Sequence, residues 1–100
     1  QIKLPAERKS ANHIYHLFVI EAERRNELQK YLQEKGVGTL IHYPIPIHKQ
    51  KSFAEFNSLK LPSLEKSVEK ILSLPCHPYL SIKEVESISK YIKEFYNSER

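Results

Sequence analysis

Two imidazoles and a phenol fall close together in His42-Tyr43-Pro44-Ile45-Pro46-Ile47-His48. Both ring types donate and accept hydrogen bonds, so the stretch is equipped to hold a polar ligand. Pro44 and Pro46 remove two backbone donors, fix φ, and press Tyr43 and Ile45 into extended geometry. The segment can therefore be neither helix nor central strand, and stiff loops of this kind are where binding and catalytic groups often sit. The same residues also read as an ordinary extended connection whose isoleucines pack and whose histidines face water.

Other chemical groups are less well placed. His13 and His16 are three apart and, on a strand, point to opposite faces, so they are not expected to share a metal. His42 and His48, with Glu55 as a third ligand, fall short of a metal site, and none is expected. Cys76 beside His77 has the elements of a thiol–imidazole couple. Adjacent residues on extended chain point apart, however, and no third group orients them, so a structural cysteine is the expected role.

The elements around the loop follow from periodicity and caps. Gln1 to Asn12 is polar, interrupted by Pro5, and reads as a linker or tail, leaving residues 13–100 as the domain. His13 to Ile20 is rich in β-branched and aromatic residues and reads as a strand covered on both faces in its second half. Glu23 to Lys35 reads as a helix with Leu28, Tyr31 and Leu32 inward, stopped at Gly36. Thr39 to Ile41 is the second expected strand and leads into the histidine–proline loop. Ser52-Phe53-Ala54-Glu55 matches a capping box for a short helix to about Asn57, with Phe53 and Phe56 as core anchors. Ser63 is the expected cap of a longer helix carrying Leu64, Val68, Ile71 and Leu72 on one stripe. Leu72 to Cys76 overlaps it as a possible third short strand. Ser81-Ile82-Lys83-Glu84 is a further capping box, opening an amphipathic helix to about Tyr96. Helices interspersed with a small sheet predict an α+β domain of two layers, the helices covering one sheet face.

The totals set outer limits. One hundred residues, 40% hydrophobic and 28% charged, suit one soluble globular domain. No apolar run approaches the roughly 20 residues that cross a bilayer, and no membrane or signal segment is read. Gln1 in place of an initiator Met fits a piece of a longer chain. A single cysteine excludes an internal disulfide and fits a cytoplasmic setting. The net charge of +4 comes from lysines spread among glutamates, which reads as a solvated surface with no nucleic-acid motif.

Taken in order, several stretches carry a family resemblance. Tyr15-His16-Leu17-Phe18-Val19-Ile20 is followed by Glu34-Lys35-Gly36-Val37-Gly38-Thr39, then by Ile41-His42-Tyr43-Pro44-Ile45-Pro46-Ile47-His48-Lys49-Gln50, then by Leu72-Ser73-Leu74-Pro75-Cys76-His77-Pro78 and a terminal helix. From about Leu4 onward the chain resembles the C-terminal small domain of the DegT/DnrJ/StrS sugar aminotransferases, pyridoxal-phosphate enzymes of the aspartate-aminotransferase fold. The resemblance implies a dimeric parent that transfers an amino group, usually from glutamate, to a nucleotide-linked keto-sugar in amino-sugar or polysaccharide biosynthesis. It implies that the Schiff-base lysine and most cofactor contacts belong to a large domain not present here. The isolated chain is accordingly expected to bind no cofactor and to be inactive alone. His42, Tyr43 and His48 are then expected to line the substrate cleft, one histidine on ligand and the other pinning the loop, and the Tyr-Pro form of the loop leans toward 3-keto sugars. The alternative is a stand-alone α+β binding or interaction module without catalysis.

Overall fold

The computed structural model describes residues 1–98. Its elements are β1 (Ile2–Lys3), β2 (Phe18–Ala22), α1 (Arg25–Glu34), α2 (Pro62–Val68), β3 (Ile71–Leu74) and α3 (Ile82–Asn97), with two short 3-10 turns, Ile47–Lys49 and Lys51–Phe56, between α1 and α2. The strands form one antiparallel sheet in the order β1-β2-β3. The small α+β domain is thus as expected, although several elements begin or end elsewhere.

Along β2 the alternation of a strand divides the residues between two faces. Ile20 and Ala22 are buried, with Phe18 packed beside them. Their partners across the ladder, Leu74 opposite Phe18 and Leu72 opposite Ile20, share that face. Onto it pack Leu28 and Leu32 of α1 and Phe95 and Tyr96 of α3, closing a single core. Burial of each such side chain contributes roughly 1.5–3 kcal/mol. Tyr31 joins the two helices, its ring 5.5 Å from that of Phe95. Val19 and Ser73, paired in register, share the opposite face.

The expected strand from His13 starts five residues late, at Phe18. Tyr15 takes a left-handed φ of 48°, and its N–H donates to His13 Nδ1 at 2.8 Å. A local side-chain bond replaces the ladder there. In the opposite sense, the segment read as a tail supplies an edge strand: Ile2 pairs with Ala22, and Lys3 bridges Glu21 at 3.2 Å.

Helix α1 begins after Arg24, whose left-handed φ of 55° delays it by two residues. It ends as expected. Gly36 at φ 79° lets its own N–H reach the Gln33 carbonyl at 3.0 Å and the Val37 N–H reach Leu32 at 2.9 Å. This is the paired closure that a left-handed residue makes possible after a helix.

Between α1 and α2 the local signals are overruled more often. Thr39–Ile41 contributes only one bridge, Leu40 to Ser73, because the chain leaves the sheet edge at His42 and turns into the two prolines. The turn at Lys51–Phe56 is 3-10 and starts after Gln50 with no side-chain cap, so Ser52 does not close the expected box. Phe53, at φ −123°, breaks it internally. Phe53 and Phe56 are 40% and 45% exposed and are not core anchors. Helix α2 begins with Pro62, which suits a first turn, and Ser63 does not cap it. The stripe from Leu64 to Leu72 belongs to two elements: α2 stops at Val68, and Ile71 and Leu72 pair with Glu21 and Ile20 in β3. A sheet partner and full burial of Leu72 outweigh continuation of a helical period. Strand β3 accordingly runs Ile71–Leu74, one residue ahead of expectation, and stops before Pro75.

The last helix behaves as read. Ser81 Oγ accepts from the Glu84 N–H at 3.3 Å, and the Glu84 carboxylate accepts from the Ser81 N–H at 2.7 Å. Two orphan donors at the start of the helix are thereby satisfied.

Candidate functional site

His42 leaves the sheet edge just after the Leu40–Ser73 bridge and folds back over β3. Its Nδ1 lies 2.8 Å from Ser73 Oγ. Ser73 is only 5% exposed, and its main chain is already committed to Leu40 through bonds of 3.2 and 2.7 Å, so the hydroxyl is a fixed partner. With the hydroxyl donating, the ring proton resides on Nε2, which has no partner among the described residues. His42 is therefore oriented by the sheet and retains one nitrogen for a ligand.

Tyr43 stands beside it. The two rings meet edge to face, with centroids 5.4 Å apart and planes at 87°. Tyr43 is 70% exposed, held by the turn of the backbone rather than by burial. The pair presents an imidazole nitrogen and a phenol beside the strand that carries Ser73.

His48 is differently placed. It is 6% exposed, and its Nε2 lies 2.9 Å from Glu65 Oε1 on α2, while Nδ1 is buried with no hydrogen-bond partner. The hydrogen bond from His48, then that from the Leu61 N–H, and then the nearby Lys49 charge hold the Glu65 carboxyl below its ordinary range. Lys49 Nζ also donates to the carbonyls of Asn57 at 2.7 Å and Leu59 at 3.3 Å. The structure thus brings His42 and Tyr43 together and turns His48 toward α2, away from any exposed surface.

Two partners in this arrangement escape sequence reading. Ser73 lies 31 residues from His42, and Glu65 lies 17 from His48. Neither separation leaves a periodic or capping signal; Glu65 reads as one more carboxylate on a polar helix face. Arg25 likewise reads as surface, yet its Nη1 donates to the carbonyls of Ile71 at 2.8 Å and Val68 at 3.3 Å, fastening the α2–β3 turn to α1.

The remaining candidates separate. Cys76 points its thiol at the Tyr15 carbonyl, 3.3 Å away, and is exposed rather than buried. Among the described residues there is no group of three or more His, Cys, Asp or Glu able to hold a metal, so His42, His48 and Glu55 do not converge. Nor does any described lysine suit a covalently held aldehyde cofactor, which requires a desolvated amine. Lys49 is committed to backbone carbonyls, Lys51 is exposed, and the half-buried Lys70 is ion-paired with Glu23. Neither Gly36 nor Gly38 has an atom within 4 Å of where a Cβ would stand, so neither marks a crowded phosphate cradle. The residues present do not fit pyridoxal phosphate as a resident group of this chain. No helix among the described residues is long and apolar enough to cross a membrane.

A groove of about 810 Å³ opens where the core layer flares between the sheet and α3, lined by Ile2, Leu4, Phe18, Leu74, Ile88 and Ile92 among others. Ile82 and Val85 at the start of α3 are exposed near it.

Comparison with known proteins follows the same outline. The model of the DegT/DnrJ/EryC1/StrS aminotransferase family matches residues 1–93. The dTDP-3-amino-3,6-dideoxy-alpha-D-galactopyranose transaminase of Aneurinibacillus thermoaerophilus is 38% identical over 94% of this chain and 26% of its own length. The dTDP-3-amino-3,4,6-trideoxy-alpha-D-glucose transaminase of Streptomyces venezuelae is 32% identical, over 94% of this chain and 25% of its own. Among solved structures, a DegT DnrJ EryC1 StrS aminotransferase from Brucella abortus superposes with a TM-score of 0.87 at 32% identity, over 94% of this chain and 26% of that one. The chain spans about a quarter of the length of the curated relatives it matches.

Proposed function

The chain belongs to the DegT/DnrJ/EryC1/StrS aminotransferase family, and we propose that it is the C-terminal small domain of an enzyme that moves an amino group, from glutamate, onto a nucleotide-linked keto-sugar. In that reading the domain forms one wall of the substrate cleft and is inactive alone. Pyridoxal phosphate, held by residues outside this chain, supplies the carbonyl chemistry and electron sink when bound. The parent is a cytoplasmic homodimer. The apolar groove and the exposed start of α3 support a domain built to pack against further protein.

The observation that carries the reading is the His42–Tyr43 pair. Ser73 fixes the imidazole, Pro44 and Pro46 stiffen the departing chain, and the second ring nitrogen and an exposed phenol are left for a ligand. Such groups suit sugar hydroxyls or diphosphate oxygens, and holding them rigidly avoids an ordering cost on binding. His48, buried against Glu65, is the histidine that pins the loop. Amination at carbon 3 fits the names of the two transaminases above, each of which carries a 3-amino sugar.

The test uses the full-length protein. Borohydride reduction is expected to fix pyridoxal phosphate to a lysine outside these 100 residues. Tyr43→Phe and His42→Ala are each expected to raise KM for the sugar substrate about 3- to 10-fold, the worth of one hydrogen bond. Unchanged kinetics in both variants with unchanged melting would remove the pair from the cleft.

A further inference from the structure

The exposed span Tyr43–Ile47 is fastened at both ends to one piece of the fold. At its start, His42 Nδ1 is held by Ser73 Oγ at 2.8 Å; at its end, His48 Nε2 is held by Glu65 Oε1 at 2.9 Å. Glu65 lies on α2 and Ser73 on β3, consecutive elements whose turn is gripped by Arg25 through the Val68 and Ile71 carbonyls. The two anchors are therefore linked through the turn that Arg25 holds.

We propose that Glu65 is a positioning residue: by holding buried His48 it fixes the far end of the span that presents Tyr43 to the sugar. The inference rests on Tyr43 facing the cleft as described above. Among the described residues, the bond to Glu65 is the only one the His48 ring makes, since Nδ1 has no partner. Without the carboxylate, a 6% exposed imidazole would be left wholly unsatisfied, and relief comes by swinging the ring toward water. Glu65 Oε1 also draws in the Leu61 N–H at 3.4 Å and lies 3.8 Å from Lys49 Nζ, which ties down Asn57 and Leu59. From beyond the span, Gln50 Nε2 donates to the Ile45 carbonyl within it at 3.4 Å. Pro44 and Pro46 limit how far the backbone between the anchors can absorb a displacement, so one at His48 is passed to Tyr43.

The experiment compares wild type, Tyr43→Phe, Glu65→Ala, Glu65→Gln and the Tyr43→Phe/Glu65→Ala double variant in the full-length enzyme. The readouts are sugar KM and kcat, and hydrogen exchange of the amides from Ile45 to Gln50. Glu65→Ala is expected to raise sugar KM about tenfold with kcat within about twofold, and to speed exchange across the loop about tenfold, the factor carried by one hydrogen bond to an ionised group. Glu65→Gln keeps an acceptor oxygen for His48 and is expected to restore both to within about threefold. In the double variant the KM penalty should not multiply, because both changes remove the same contact. If Glu65→Ala does not accumulate, His48→Leu removes the same bond while filling the buried space, and the same KM rise is expected.

Wild-type KM and exchange in Glu65→Ala, a penalty that multiplies with that of Tyr43→Phe, or a Gln variant as impaired as Ala would each overturn the proposal. Failure of the underlying reading looks different: Tyr43→Phe itself would leave KM unchanged, and the proposal would go with it. An effective Tyr43→Phe beside an inert Glu65→Ala discards the clamp alone.

Discussion

Tyr96, near the end of α3, donates its hydroxyl to the main-chain carbonyl of Glu23, joining residues 73 apart in sequence at the point where β2 gives way to α1. The bond ties the last helix to the connection that feeds the first. Removing the hydroxyl in Tyr96→Phe leaves the ring packing intact and the carbonyl without this donor. A loss of about 1–2 kcal/mol is expected in urea titration of the chain. Wild-type stability would mean that water replaces the phenol without cost.

Gly36 stands at φ 79° with nothing within 4 Å of where a Cβ would be placed, so substitution there tests backbone conformation alone. Gly36→Ala is expected to destabilise by about 1 kcal/mol. Gly38 is equally open but carries no positive φ, and Gly38→Ala should fall within about 0.5 kcal/mol of wild type. Equal effects at both positions in chemical denaturation would contradict the closure described for α1.

Acid should weaken the fold in part through a small set of paired, solvent-exposed carboxylates. Glu23 is held below its ordinary 4.5 by Lys70, Glu27 by Arg24, Glu65 by His48 and Glu84 by Ser81. Groups whose folded pKa is depressed stabilise the fold above the unfolded value and lose that contribution as pH falls through the folded one. The contribution of these four carboxylates should therefore be complete above about pH 5 and decline below about 4.5. Ser81→Ala removes the largest cause of the Glu84 shift, so it should shrink the decline and cost about 1 kcal/mol of capping at about pH 7. Denaturation midpoints across pH 3 to 7, on the order of one point per half unit, check both statements.

Ser73→Ala separates orientation from stability at the candidate site. The hydroxyl is buried, and its one side-chain partner among the described residues is His42. In the full-length enzyme the variant is expected to raise sugar KM about 3- to 10-fold while moving the melting point little. A large fall in melting point with unchanged KM would assign Ser73 to the fold alone.

How far the sequence can be read depends on whether the deciding interaction is local. Gly36 and the Ser81–Glu84 box announce their helix ends because partner and acceptor lie within a few residues. Leu28, Leu32 and Phe95 show in the helical period because one face of each helix meets one sheet. Ile71 and Leu72 read as helix because their spacing fits either element, and only pairing with Glu21 and Ile20 decides. Phe53 and Phe56 read as core on hydrophobicity, but their turn packs against the neighbouring turn Ile47–Lys49 and not onto the sheet core, which leaves them 40% and 45% exposed. At the site, His42 and Tyr43 are legible as a stiff polar pair. The different fate of His48 is not, since Glu65 reaches it from another element.

From Tyr43 to Leu61 the only buried side chain is His48; order in this segment comes from hydrogen bonds and ion pairing to Glu65 rather than from apolar burial. Its opening free energy should therefore sit well below that of the sheet and its two helices, so that it exchanges as a separate and faster unit. Residues in this segment can change with little draw on the stability reserve of the core, so ligand preference can drift across descendants of one scaffold while the three strands and α1 and α3 stay as they are.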